Sequence, residues 1–189
     1  MDTLRAQLVA QPDGSPIRLA KPTSNLFRFR EPPPANALDV SAFAGVIDVD
    51  VDARTADVGG MTTYEQLSDA TLAHGLMPHV VPQLKTITLG GAVAGLGIES
   101  SSFRNGMPHE SVLEMDILTP DGDVVLARPD NEHRDLFHGF PNSYGTLGYA
   151  LRLRIELQET KPVVALAHVR YRSAAECAKG IEEACASWK

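Results

Sequence analysis

Chemistry is most concentrated in the run Thr88-Leu89-Gly90-Gly91-Ala92-Val93-Ala94-Gly95-Leu96-Gly97-Ile98-Glu99-Ser100-Ser101-Ser102. Four glycines, two alanines and three consecutive serines in fifteen positions let a backbone approach a ligand closely and turn its N–H groups inward. A helical turn beginning near Gly90 adds the partial positive charge of its free N–H groups at the same place. The hydroxyls of Ser100, Ser101 and Ser102 are further donors, and phosphate oxygens are natural acceptors for such a loop. The spacing alone is equally compatible with small residues packed closely against a sheet.

Better-known phosphate and metal motifs do not match. A Walker A loop needs Gly-Lys-Ser/Thr, and no lysine follows these glycines. Gly95-Leu96-Gly97-Ile98-Glu99-Ser100 nearly matches a dinucleotide fingerprint, with Glu114 about 20 residues on, but Ser100 stands where the third glycine belongs. Pro108 would also interrupt a following helix, and the next element reads as a hairpin, not a parallel crossover. Asp48-x-Asp50-x-Asp52 resembles the start of a calcium loop, yet Ala53 and Gly59 replace its turn glycine and bidentate glutamate. The six histidines form no metal pair at helical spacing, and no Gly-x-Ser-x-Gly elbow supports serine hydrolysis.

Around the glycine run the chain alternates strands and single helices, which predicts an α+β fold. Leu4 to Ala10 is weakly helical, Ile17-Arg18-Leu19 is a short strand, and Phe27 to Phe29 is extended before the irregular Glu31-Pro32-Pro33-Pro34. Val46, Ile47, Val49 and Val51 form a strand whose wet face carries Asp48, Asp50 and Asp52, and it pairs as a hairpin with Thr55 to Val58. Thr63 and Gln66 make a capping box for a helix closed by Gly75, with Tyr64, Leu67, Thr71 and His74 as its buried stripe. His79 to Pro82 is extended. Val112 to Thr119 and Val124 to Ala127 form a second hairpin around Pro120-Asp121-Gly122-Asp123. A short helix over Asp130 to His138 precedes a half-buried strand over Tyr149 to Leu157, where apolar residues alternate with Arg152, Arg154 and Glu156. Val163 to Tyr171 reads as a further strand, and a helix follows from about Ala174 to Trp188.

The net charge of −7 and pI near 5.3 argue against nucleic acid or an anionic membrane as main partner, since both call for a basic face. No apolar run approaches the roughly 20 residues of a membrane span. Met1-Asp2-Thr3-Leu4-Arg5 lacks the pattern of a secretory signal, so a cytoplasmic chain is expected. Cys177 and Cys185, eight residues apart on a helix, would lie about 12 Å apart, beyond disulfide reach.

Val81-Pro82-Gln83-Leu84, Thr88-Leu89-Gly90-Gly91 and above all Gly97-Ile98-Glu99-Ser100-Ser101-Ser102 resemble the PCMH-type FAD-binding domain of the vanillyl-alcohol oxidase/p-cresol methylhydroxylase flavoproteins. Within that superfamily the likeness is strongest to the delta-24 sterol reductase (seladin/diminuto-like) branch. It continues through Pro120-Asp121-Gly122 and Asp135-Leu136-Phe137 to Gly145-Thr146-Leu147-Gly148. The resemblance covers about Val46 to Leu157 well, and Ile17 to Ala44 only loosely.

The resemblance implies two α/β subdomains clamping an extended FAD, with an FAD-binding domain over residues 1–160 and the beginning of a substrate-binding cap over 161–189. Residues Thr88, Leu89, Gly90, Gly91, Ala92, Val93, Ala94, Gly95, Leu96, Gly97, Ile98, Glu99 and Ser100 would then line the diphosphate and approach the flavin ring. Val112 and Gly145 to Gly148 would lie on the adenosine side. A second phosphate loop is expected at Lys21-Pro22-Thr23-Ser24-Asn25, which departs from the family in having no glycine; Thr23 and Ser24 supply donors and Lys21 charge. That loop has no His or Cys, so FAD is expected to be non-covalent, with His79 structural. The implied reaction is hydride transfer between a substrate carbon and flavin N5, on an apolar substrate such as a sterol-like or lipid alkene. The alternatives are an alcohol or lactone oxidase on the same domain, and a non-catalytic module whose glycines merely pack. No catalytic residue is assigned in this chain, and no metal.

Overall fold

The computed structural model describes residues 2–12, 14, 15, 17–21 and 36–187. The expected segments Phe27–Phe29 and Glu31–Pro34, the loop beyond Lys21 and the helix end at Trp188 lie outside these residues.

The main sheet is built from two local hairpins knitted together by one long strand. β3 (Val46–Asp50) and β4 (Thr55–Gly59) form the first, and β6 (Val112–Leu118) and β7 (Val124–Ala127) the second. Gly122, at φ +85°, takes the left-handed turn between β6 and β7, and the Thr119 N–H donates to the Asp123 carbonyl at 2.8 Å. β8 (Tyr149–Glu159) lies antiparallel between β4 and β6, giving the order β3-β4-β8-β6-β7, while β5 (Leu76–Pro78) pairs with the far end of β8. On one face, Val58, Met115, Ile117, Leu153, Ile155 and Leu157 pack under α2 (Tyr64–Leu72) and α3 (Leu89–Gly95).

A smaller layer comprises α1 (Asp2–Val9) and the parallel pair β1 (Leu19–Ala20) and β2 (Leu38–Asp39). Its Leu4, Leu8, Leu38 and Val40 close over Leu118 and Leu151 at one end of the opposite sheet face. The rest of that face is ionic. Arg152 bridges Asp57 on β4 and Glu114 on β6, with Asp116 at 3.7 Å, and Arg128 holds the other oxygen of Glu114. Burial alone would raise the Glu114 carboxyl, but its bonds to Arg152 and Arg128 outweigh this and hold it below its ordinary range.

Several expectations need correction. Residues 163–171 form no strand: an alternating apolar pattern becomes a strand only when another backbone pairs with it, and none of the described residues does. Val163, Val164 and Leu166 are therefore exposed, and the helix Ala174–Ser187 buries no residue. The extended segment before the glycine run is Leu76–Pro78, not His79 to Pro82. The capping box of α2 is present and Tyr64, Leu67 and Thr71 are buried, but His74 is exposed just past the helix end. A bulge between Val46 and Asp48 turns Ile47 outward, breaking the predicted alternation of β3.

Candidate functional site

α3 forms because Thr88 caps it in extended geometry, its Oγ1 accepting the Gly91 N–H at 3.3 Å. The first helical N–H groups do not face outward. Leu89 donates to the Thr62 carbonyl and Gly90 to the Gly60 carbonyl, each at 2.9 Å. A Cβ on Gly90 would lie 2.8 Å from the Gly60 oxygen and 3.3 Å from the Ala150 oxygen. Gly90 is a glycine so that α3 can touch β4 and β8, and Ala92 and Val93 are buried alongside it.

Gly91 is different. It is exposed, and a Cβ there would point into a notch between Thr88 Oγ1 at 2.9 Å and Lys21 Nζ at 4.0 Å. No backbone crowds Gly91 as it crowds Gly90; only the Thr88 hydroxyl, a side-chain group that can rotate, comes within 3 Å.

The other end of α3 meets the turn at residues 141–148. The Tyr144 N–H caps the Ala94 carbonyl at 3.0 Å, and a Cβ on Gly95 would touch the Tyr144 ring. Leu96 ends the helix in left-handed geometry at φ +57°, and Gly97 passes Pro108. Asn142 and Tyr144 also hold positive φ values of 62° and 49°, costly for residues with a Cβ. Tyr144 is nonetheless 70% exposed, as Ile98 is at 72%. Beside Tyr144, the buried Ser143 Oγ has no hydrogen-bond partner among the described residues. Gly145 and Gly148 from the same turn line a cleft of about 280 Å³ with Leu8, Ile17, Leu118 and Tyr149.

The remaining polar residues of the run divide cleanly. Ser101 Oγ donates to the His79 carbonyl at 3.2 Å, where Asn105 also donates at 2.7 Å, so these groups hold the loop to the residue just after β5. Ser102 Oγ accepts the Glu99 N–H at 3.0 Å. Ser100 is exposed, without a side-chain partner among the described residues. Glu99 does not cap its own loop; burial, and after it the charge of Glu99, push the Tyr64 phenol well above its usual range. Val112 is buried in the main core.

Sequence reasoning located α3 and the turn but missed Tyr144, Ser143 and the supporting Gly60. The pair Gly59-Gly60 was the available signal, since adjacent glycines beside a strand mark a close backbone approach. A bare notch next to a lysine, an orphaned hydroxyl and an exposed aromatic on a strained turn fit a ligand carrying both phosphate and a ring.

A family model described as FAD binding domain matches residues 8–128. The chain is 34% identical to a delta(24)-sterol reductase of Pisum sativum over 131 residues, 69% of this chain and 23% of that protein. It is 31% identical to the human delta(24)-sterol reductase over 143 residues, 76% of this chain and 26% of that protein. Against cytokinin dehydrogenase 6 of Oryza sativa subsp. japonica it is 35% identical over 115 residues, 61% of this chain and 22% of that protein. The chain thus spans about a quarter of the length of the curated relatives it matches. Because the matched segment takes in most of the sheet and the whole of α3, this chain belongs to the FAD binding domain family of PCMH-type flavoproteins, and FAD is its cofactor.

Proposed function

We propose that the chain is the flavin-binding portion of an FAD-dependent oxidoreductase that moves a hydride between a substrate carbon and FAD, with an apolar, sterol-like or lipid alkene as substrate. The observation that carries the reading is the notch at Gly91, which no backbone crowds and which opens beside a lysine. FAD supplies hydride acceptance and donation at its flavin N5 when bound. The chain's own contribution is binding and positioning by the run from Thr88 to Ser100. In this assignment Gly91 and Lys21 face the diphosphate, while Tyr144, Ile98 and the Ser143 hydroxyl lie toward the rings. The sterol-like substrate is supported by the similarity to delta(24)-sterol reductases in two kingdoms.

The reading includes a non-covalent cofactor. His79 lies just before the run, and its segment is tied down through its carbonyl. The purified protein is expected to be yellow, and acid precipitation should release all the flavin into the supernatant. Colour retained in the pellet rejects the non-covalent assignment, and a colourless wild type rejects flavin binding.

Residues 161–189 are assigned to the beginning of a substrate-binding cap domain. Support comes from Val163, Val164, Leu166 and Val169, apolar side chains that the FAD-binding core leaves exposed. Removing 161–189 should leave the unfolding midpoint and flavin content unchanged. Loss of either places these residues within the FAD-binding domain. A cytoplasmic location fits two free cysteines. Among the described residues, no helix is long and apolar enough to cross a membrane.

A further inference from the structure

Residues 161–187 have local structure of their own. Ser173 Oγ accepts the Glu176 N–H at 3.2 Å and Glu176 Oε2 accepts the Arg172 N–H at 2.9 Å, which starts the helix Ala174–Ser187 on two side-chain bonds. The Tyr171 ring lies over the bare face of Gly180, where a Cβ would collide with it, so the preceding segment is seated on this helix. Beyond that contact the unit is open. Val163, Val164, Leu166 and Val169 are each 65% exposed or more, and Ile181 is 55% exposed. Ala174, Cys177, Ile181 and Ala184 recur at helical spacing, with Glu176, Lys179, Glu182 and Glu183 on the other side. The helix thus has one apolar stripe and buries none of it. Apolar side chains clustered on a surface in this way mark a site that another chain covers.

We propose that the partner is a second copy of this chain, with residues 163–171 of the two copies pairing as antiparallel strands about a two-fold axis at Ala167. This takes residues 161–187 to lie outside the FAD-binding core, as assigned above. Two observations select a second copy. The first is charge. The chain as a whole has a surplus of seven negative charges, but within residues 161–187 four basic side chains stand with three acidic ones. Two copies therefore meet here without the repulsion that the rest of the chain sets up, and a strongly charged partner gains nothing. Lys161, Arg170 and Arg172 flank the segment while Glu182 and Glu183 lie on the helix, so each copy offers both signs to the other. The second is register. About Ala167, Val163 falls opposite Tyr171 and Ala165 opposite Val169, an apolar row on the Tyr171 side, where the helix sits. On the other side Leu166 meets His168 and Val164 meets Arg170, with no like charges opposed. Each segment supplies the backbone that the other lacks, and the two helices cover one face of the ribbon.

The test uses the 189-residue chain. Light scattering on the eluting protein should give twice the 20.4 kDa chain mass at high concentration, falling toward the single mass on dilution. Val169→Asp sets a charge in the apolar row and should raise the dissociation constant at least about 100-fold, with the unfolding midpoint of the core unchanged. Ala167→Cys, on a Cys177→Ser/Cys185→Ser background, should form a covalent dimer on mild oxidation in air. Residues facing each other across an antiparallel pair stand about 4.5–5.5 Å apart, within disulfide reach. Asp121→Cys on the same background, out on the β6–β7 turn, should crosslink far more slowly. A wild type of single-chain mass at every concentration overturns the proposal. So does a mass that climbs past two chains without a plateau, a dimer that Val169→Asp leaves intact, or Ala167→Cys crosslinking no faster than Asp121→Cys. These readouts are of chain mass, so they stand apart from the flavin and midpoint readouts that test the cap assignment.

Discussion

Gly91→Val should yield a folded, colourless protein, whereas Gly60→Ala should yield no stably folded protein at all. Gly60 lies within the contact between α3 and β8, and Gly91 lies outside it. A Cβ on Gly60 would stand 1.9 Å from the Ala150 carbonyl oxygen, and the Gly60 N–H already donates to Leu151 at 2.7 Å. The obstacle is the backbone of β8, the strand that joins both hairpins, so no rotamer change relieves it. The cost should exceed the ~1–3 kcal/mol of an overpacked side chain and approach the whole stability of a small domain. Gly90→Ala is the intermediate case, with its Cβ 2.8 Å from the Gly60 oxygen. At Gly91 the nearest atom is the Thr88 hydroxyl, which can rotate away at about the 1 kcal/mol of a lost helix cap. Valine there fills the notch toward Lys21 while leaving the core intact. Thermal unfolding and bound-flavin absorbance on the three variants separate fold from site. Full flavin content in Gly91→Val would remove that position from the cofactor site.

That separation shows what could be read from residues alone. Pro120-Asp121-Gly122 announced the β6–β7 hairpin because its turn chemistry is local, and Thr63 with Gln66 announced α2 for the same reason. β8 was legible because one face of a sheet forces strict alternation. The glycine run was legible as a place but not as a division of labour. Whether Gly90 or Gly91 meets another backbone depends on Gly60 and Ala150, thirty and sixty residues away. Val163 to Tyr171 failed in the opposite direction: its pattern is that of a strand, but pairing is a property of neighbours, and the described residues provide none. Ile47 failed because a bulge adds one residue to β3 and reverses the facing.

The same strand carries a second large effect, on stability and not on flavin. Arg152→Met should destabilise the protein by about 2–4 kcal/mol near neutral pH, somewhat below the ~3–5 kcal/mol for breaking a fully buried ion pair because Arg152 and Asp57 keep some contact with water. Methionine keeps the aliphatic packing but leaves Asp57, Glu114 and Asp116 facing one another, with Arg128 the only guanidinium among the described residues still bonded to any of them. The side chain of Glu114 is 10% exposed, so water screens this repulsion poorly. The pH dependence fixes the cause. In wild type the Glu114 carboxyl is held below its ordinary value, so its contribution is present above that value and lost as pH falls through the folded one. Asp116 opposes this: burial raises its carboxyl, so its contribution is present at low pH and lost as pH rises through the folded value. Without Arg152 the restraint on Glu114 weakens, and the Glu114 and Asp116 carboxyls titrate upward. Protonation then relieves repulsion, and the variant should gain on wild type as pH is lowered from 7.5 toward 4.5. Urea denaturation at those two pH values should show the gap closing. Asp116→Asn in the Arg152→Met background should recover part of the loss at pH 7.5, a coupling that a double-mutant cycle measures. A gap that is the same at both pH values would mean that Arg152 acts through packing and that the ionic face contributes nothing to folding.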